Sequence, residues 1–121
     1  MSSVDTTLNL EGELQERGLF ELGELLVRLS LRGSRRVVVD FSEVSHLDYR
    51  GVKPLLRKVE RFRDAGGDVK LAGLSPYLKA ILRAAGAHAA LEVYASIPEA
   101  WASFEREPVF FGQSADLSTG L

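Results

Sequence analysis

The chain has 121 residues, 45% of them apolar and 26% charged, with a formal net charge of −2 and no cysteine. That is one ordinary globular domain, long enough to hide roughly two-thirds of its unfolded surface without a metal or a disulfide. It excludes wholesale disorder, disulfide frameworks, cysteine zinc sites and thiol nucleophiles, and a charge this near zero announces neither nucleic acid nor an anionic membrane as partner.

The opening Met1-Ser2-Ser3-Val4-Asp5 is polar, so residues 1–5 are expected to be loose. It lacks a basic segment followed by an apolar one, so no secretory signal is expected. Residues 6–11 alternate, Leu8 and Leu10 against Asn9 and Glu11, which predicts a short strand with one wet face. Gly12 and Gly18 are read as bracketing a connection. From Leu19 to Leu31 the period turns helical, with Leu22, Leu25, Leu26 and Leu29 in one stripe. Arg32-Gly33 then supplies a basic last turn and a left-handed stop.

Arg36 to Phe41 is a β-branched run, suited to a strand covered on both faces. Ser42 to Leu47 reads as a connection. Gly51 to Ala65 is a helix with Val52, Leu55, Leu56, Val59 and Phe62 inward and Lys53, Arg57, Lys58, Arg61 and Arg63 off that stripe. Pro54 fits only a first helical turn, so the helix starts close to Gly51 and not before about Tyr49. Gly66-Gly67 ends it, and residues 69–72 form the next strand.

Ser75-Pro76 reads as N-cap and first helical residue, with Leu78, Ile81, Leu82 and Ala85 inward and Gly86 as the stop. Leu91 to Tyr94 is a last short strand. Ser96 and Glu99 fit a capping box before a helix whose inner face is Ile97, Ala100, Trp101 and Phe104. Beyond Pro108, the apolar Val109, Phe110 and Phe111 offer themselves for docking on the domain or on a second copy, and residues 112–121 are expected to be mobile. The alternation of strands and helices predicts an α/β layer fold, with a largely parallel or mixed sheet of four to five strands and about four helices. It is one domain over residues 6–107, between an N-terminus of residues 1–5 and a tail of residues 108–121.

Catalytic constellations are missing. There is no phosphate-binding loop and no dinucleotide turn. Ser75, in Gly73-Leu74-Ser75-Pro76-Tyr77, lacks the second glycine of a nucleophile elbow. His46 and His88 stand apart, without neighbours at metal-ligand spacing, and read as solvated or capping residues. Asp40 and Asp48 are the one suggestive carboxylate pair, and capping of turns and of the following helix explains them better than acid–base work. No enzyme activity, cofactor or metal is expected. The apolar runs are far shorter than the roughly 20 residues of a spanning helix, so no membrane insertion is expected.

The stretch Asp40-Phe41-Ser42-Glu43-Val44, then Asp48-Tyr49-Arg50-Gly51 opening a helix, then a Gly-Gly turn and a strand, resembles the STAS domain of bacterial anti-sigma-factor antagonists. Leu10-Glu11-Gly12-Glu13-Leu14 is similar to that family's early strand. The resemblance covers roughly residues 6–105. It implies a STAS-like layer fold and a cytoplasmic, non-enzymatic protein that acts by partner switching. In the family, a serine before the glycine is exposed at the helix N-terminus. Unphosphorylated, that surface binds a kinase-type anti-sigma factor, and phosphorylation of the serine breaks the complex.

Here Arg50 occupies the serine's position, so the usual switch is expected to be absent. Arg50 has no hydroxyl and carries the wrong sign to mimic a phosphate, and pairing with Asp48 or with an acidic partner group would relieve its poor position at a helix N-terminus. Ser42, Ser45 and Tyr49 keep nearby hydroxyls that could take its place. The resemblance implies a partner surface of Asp48, Tyr49, Arg50, Gly51, Lys53 and Arg57. Two alternatives stand beside it: a peripheral STAS subunit of a membrane transporter complex, and a STAS domain that senses a small ligand. A homodimer is left open.

Overall fold

The computed structural model describes residues 5–106, so the residues 107–121, with the apolar Val109, Phe110 and Phe111, lie outside the described residues. Strand β1 (Asp5–Leu14) leads into helix α1 (Glu16–Leu31), and β2 (Arg36–Leu47) follows. A single 3₁₀ turn, Tyr49–Gly51, opens α2 (Val52–Asp64). Then come β3 (Asp68–Ala72), α3 (Pro76–Ala84), β4 (Val93–Tyr94) and α4 (Ile97–Arg106). The four strands form one sheet in the order β1-β2-β3-β4, and all three pairings are parallel. Of the parallel and mixed arrangements open to the sequence, the chain adopts the parallel one.

The main core lies between one face of this sheet and helices α1, α2 and α3. The strands supply Val37, Val39, Phe41, Val69 and Leu71, and the helices supply Leu19, Leu22, Leu26, Val52, Leu55, Val59, Phe62, Leu78 and Leu82. Phe62 is 1% exposed, and burying such a side chain contributes about 1.5–3 kcal/mol. On the other face, α4 packs Ala100, Phe104, Trp101 and Ile97 over Val38 and Ala72. That second layer explains why Val37, Val38 and Val39 are all buried: consecutive strand residues face opposite layers. The layer also hides Lys70, which is fully buried, hydrogen-bonds Ser103 Oγ at 2.8 Å and lies 3.3 Å from Glu92.

Several local expectations hold. Ser75 Oγ accepts the Leu78 N–H at 3.1 Å, and Ser96 Oγ accepts the Glu99 N–H at 3.3 Å. Gly33 and Gly66 close α1 and α2 with φ of 95° and 99°. Others are corrected. Ser42 to Leu47 is not a connection but the second half of β2, and Gly12 lies inside β1. Gly18 belongs to α1, which begins at Glu16 rather than Leu19. The last strand is only Val93–Tyr94, because Ala87 to Leu91 folds as a turn in which the Ala90 and Leu91 N–H groups both bond the Ala87 carbonyl.

The length of β2 has a specific cause. Its pairing with β1 slips between Asn9 and Glu11 and again between Gly12 and Glu13, so twelve residues of β2 run beside ten of β1. Each slip adds one residue to β2. The buried positions therefore recur as Phe41, Val44 and Leu47, every third residue instead of every second.

Candidate functional site

β2 delivers Asp48 to the start of α2. The Asp48 N–H bonds the Leu14 carbonyl at 2.9 Å, so the ends of β1 and β2 together fix where the 3₁₀ turn begins. Asp48 Oδ1 accepts the Arg50 N–H at 3.0 Å and so caps that turn. The Arg50 guanidinium folds back on the same carboxylate, with Nε 3.1 Å from Oδ1 and Nη2 2.7 Å from Oδ2. This is a fork-to-fork ion pair, and it neutralises a cation that would otherwise oppose the positive end of α2. Of the two pairings open to Arg50, with Asp48 or with an acidic partner group, the chain forms the one with Asp48.

The pair shifts both groups. The Arg50 side-chain hydrogen bond, reinforced by its backbone N–H, holds the Asp48 carboxyl down at about 2. Asp48 in turn holds the Arg50 guanidinium above its ordinary range. The Asp48 side chain is 12% exposed, whereas that of Arg50 is 66% exposed. The carboxylate is thus the inner, fixed half of the pair and the guanidinium the outer half.

Pro54 lies in the first turn of α2, as its missing N–H requires. Tyr49, 60% exposed, projects from the 3₁₀ turn. With Arg50 and Lys53 it lines a shallow trough whose far wall is Ala84, the last residue of α3, and Ala85, its C-cap. The trough continues past Tyr49 to Ile81, Leu47 and His46. Gly51 is buried beneath it, and the reason is space: a Cβ there would lie 2.9 Å from Leu19 Cδ1 and 3.3 Å from the Glu16 Cα. Asp48, Tyr49, Arg50, Gly51 and Lys53 therefore come together around the N-terminus of α2. Arg57 lies one turn further along, exposed, and lines the groove between α1 and α2 beside Phe20 and Gly23.

The remaining candidates divide. Asp40 does not join Asp48: its carboxylate holds the Ser42 N–H at 3.0 Å and the Ser42 hydroxyl at 3.1 Å. Ser45 is exposed on the bulged part of β2. His46 is no isolated surface residue. Its Nδ1 lies 2.7 Å from the Tyr77 hydroxyl, and the two rings stack with centroids 5.8 Å apart. Tyr77 went unnoticed in the sequence, since the two residues lie 31 positions apart and only the fold joins them. Among the described residues no group of three or more His, Asp or Glu gathers where a metal could be held, and no helix is long and apolar enough to cross a membrane.

The small parallel α/β sheet thus presents a carboxylate-capped helix N-terminus with an exposed tyrosine and two cations beside it. The chain belongs to the STAS family: the family described as "Mlab, STAS domain" matches residues 1–93. No curated protein matches it by sequence. Solved structures of similar fold include the anti-sigma factor antagonist SpoIIAA in its unphosphorylated form, 18% identical over 90% of this chain and 96% of that one, with a TM-score of 0.71. Bacillus SpoIIAA in its phosphorylated form is 20% identical over 86% of this chain and 95% of that one, with a TM-score of 0.62. The STAS domain of a SulP transporter from Vibrio cholerae is 18% identical, covers 88% of each chain, and has a TM-score of 0.67. At these identities the likeness is one of fold, and it reaches antagonists and transporter domains alike.

Proposed function

We propose that this protein is a cytoplasmic, non-enzymatic anti-sigma-factor antagonist. It binds a kinase-type anti-sigma factor through Asp48, Tyr49, Arg50, Gly51, Lys53 and Arg57, and it lacks the serine that would release that partner on phosphorylation. The observation that carries this reading is the Asp48–Arg50 fork at the N-terminus of α2. It puts a locked guanidinium where the family resemblance places the switch serine, and leaves Tyr49 and Lys53 exposed beside it. Such a surface suits an acidic partner segment with an apolar contact for the tyrosine ring.

The test uses the tagged full chain, expressed in its own host, with the bound proteins identified by mass spectrometry. The expected product is an anti-sigma factor with a kinase-type ATPase domain, in a complex that ATP does not dissolve. Arg50→Glu puts a like charge beside Asp48 and should weaken that complex about tenfold or more. Arg50→Ser restores an acceptor hydroxyl and should make the complex dissociate in ATP. Recovery of transporter subunits in place of an anti-sigma factor would overturn the reading, and unchanged affinity of Arg50→Glu would remove Arg50 from the surface.

A further inference from the structure

On the side of α3 away from the trough, a cleft of about 470 Å³ opens between α3 and the edge strand β4. Its size falls within the roughly 300–1,000 Å³ of ordinary small-molecule sites. The floor is apolar: Leu82 and Leu91 are 2% and 3% exposed, and Val93 and Tyr94 also line it. The rim is cationic. Lys79 and Arg83 stand four residues apart on one face of α3, and His88 faces them from the turn before β4. None of these three side chains has a hydrogen-bond or ion-pair partner among the described residues. The one acidic group in the cleft, Glu92, is already engaged by the Lys70 ammonium at 3.3 Å and the Tyr94 hydroxyl at 2.9 Å.

Two like charges at this spacing cost a folded helix a little stability, and no internal counter-ion removes that cost. The sheet supplies a further group. Leu71 of β3 and Gly73 just after it donate their N–H groups to the carbonyls of Glu92 and Tyr94, so in this parallel ladder the N–H and C=O of Val93 between them point away from β3, and Val93 lines the cleft. An edge of two residues is too short to hold an extended peptide, and short edge strands discourage such pairing. A small molecule fits the same groups: charge for Lys79 and Arg83, an acceptor for the Val93 N–H, and an apolar body over Leu82, Leu91 and Tyr94.

We infer that this cleft binds a small organic anion, an apolar or aromatic body carrying a phosphate or carboxylate. The site is independent of the proposed partner surface, and α3 separates the two.

The probe is naphthyl phosphate, titrated into the isotope-labelled full chain and followed by amide chemical shifts, with inorganic phosphate and naphthol as separate titrants. The expected result is saturable shifts confined to Lys79, Arg83, His88 and Val93, with affinity at least about tenfold above either control. The Lys79→Gln/Arg83→Gln variant should lose at least about tenfold in affinity. It should also melt no lower than wild type, because neither side chain has a partner to lose and the like-charge repulsion between them is removed. Equal affinity for inorganic phosphate, shifts spread over Arg57 and Arg61 of α2, or a variant that binds like wild type would each overturn the inference. So would nuclear Overhauser contacts between Val93 and residues 107–121 in the probe-free protein, which would give the cleft to the chain's own end.

Discussion

Replacing Gly51 by alanine tests whether the N-terminus of α2 is held by close packing on α1. Gly51 has φ −89° and ψ −5°, a conformation alanine adopts freely. Alanine would also stiffen the unfolded chain, which stabilises the fold by about 0.4–1 kcal/mol. Against this, the new methyl would lie 2.9 Å from Leu19 Cδ1, 3.0 Å from Leu19 Cβ and 3.3 Å from the Glu16 Cα. Leu19 is 0% exposed and cannot swing away, and the Glu16 atom is backbone. Overpacking of this kind costs about 1–3 kcal/mol. The clash wins, and Gly51→Ala should lose about 1–2 kcal/mol, a fall in melting temperature of about 4–8 °C for a domain of this size. Gly18→Ala is the matched control. It sits in α1, its Cβ would meet only Leu14 Cδ2 at an ordinary 3.6 Å, and the helix should gain about 0.5–1 kcal/mol. Urea and thermal unfolding followed by circular dichroism should therefore shift in opposite directions for the two variants. A Gly51→Ala protein as stable as wild type would show that α1 and α2 do not meet as closely as described.

Three further outcomes follow from the same contacts. Lys70→Met keeps the buried stem and removes a buried charge; Glu92 is 45% exposed and stays solvated, and the Ser103 hydroxyl keeps its own bond to the Ala100 carbonyl at 2.7 Å, so stability should change by less than about 1 kcal/mol or rise. Lys70→Ala should instead cost about 3 kcal/mol in lost methylenes and residual space, and equal damage from both in urea unfolding would show that the ammonium, not the stem, secures α4. The Asp48 carboxyl is held down at about 2, so its contribution is full above its ordinary value and is lost as pH falls from about 4 through about 2. The difference in melting temperature between wild type and Asp48→Asn should accordingly narrow over that interval, and a constant difference would remove the ion pair as its cause. Ser75→Ala leaves the Leu78 N–H without its cap and should cost about 1 kcal/mol in the same unfolding assay.

The features legible in the sequence are those set by neighbours in the chain. Pro54 dates the start of α2, and the serines before α3 and α4 are caps because the hydroxyl reaches an N–H three residues on. The Asp48–Arg50 pair is legible for the same reason, being two residues apart. The second half of β2 escaped because two extra residues stretch the spacing of Phe41, Val44 and Leu47 from two to three, which matches neither a strand nor a helix. The His46–Tyr77 contact and the α3–β4 cleft depend on how β2, α3 and β4 lie beside one another, and no local spacing encodes that.

The outer rim of β1 has one more consequence. It is a ten-residue edge with no strand beside it among the described residues, long enough to template the stacking of chain on chain that begins a fibre. Gly12, at φ 81°, breaks the line of that edge where the register slips, and the acidic side chains of Glu11 and Glu13 stand exposed on either side of it. An incoming strand would meet an uneven row of donors and acceptors and a fixed negative charge. The irregularity that lengthens β2 thus also makes this edge a poor template for edge-to-edge pairing.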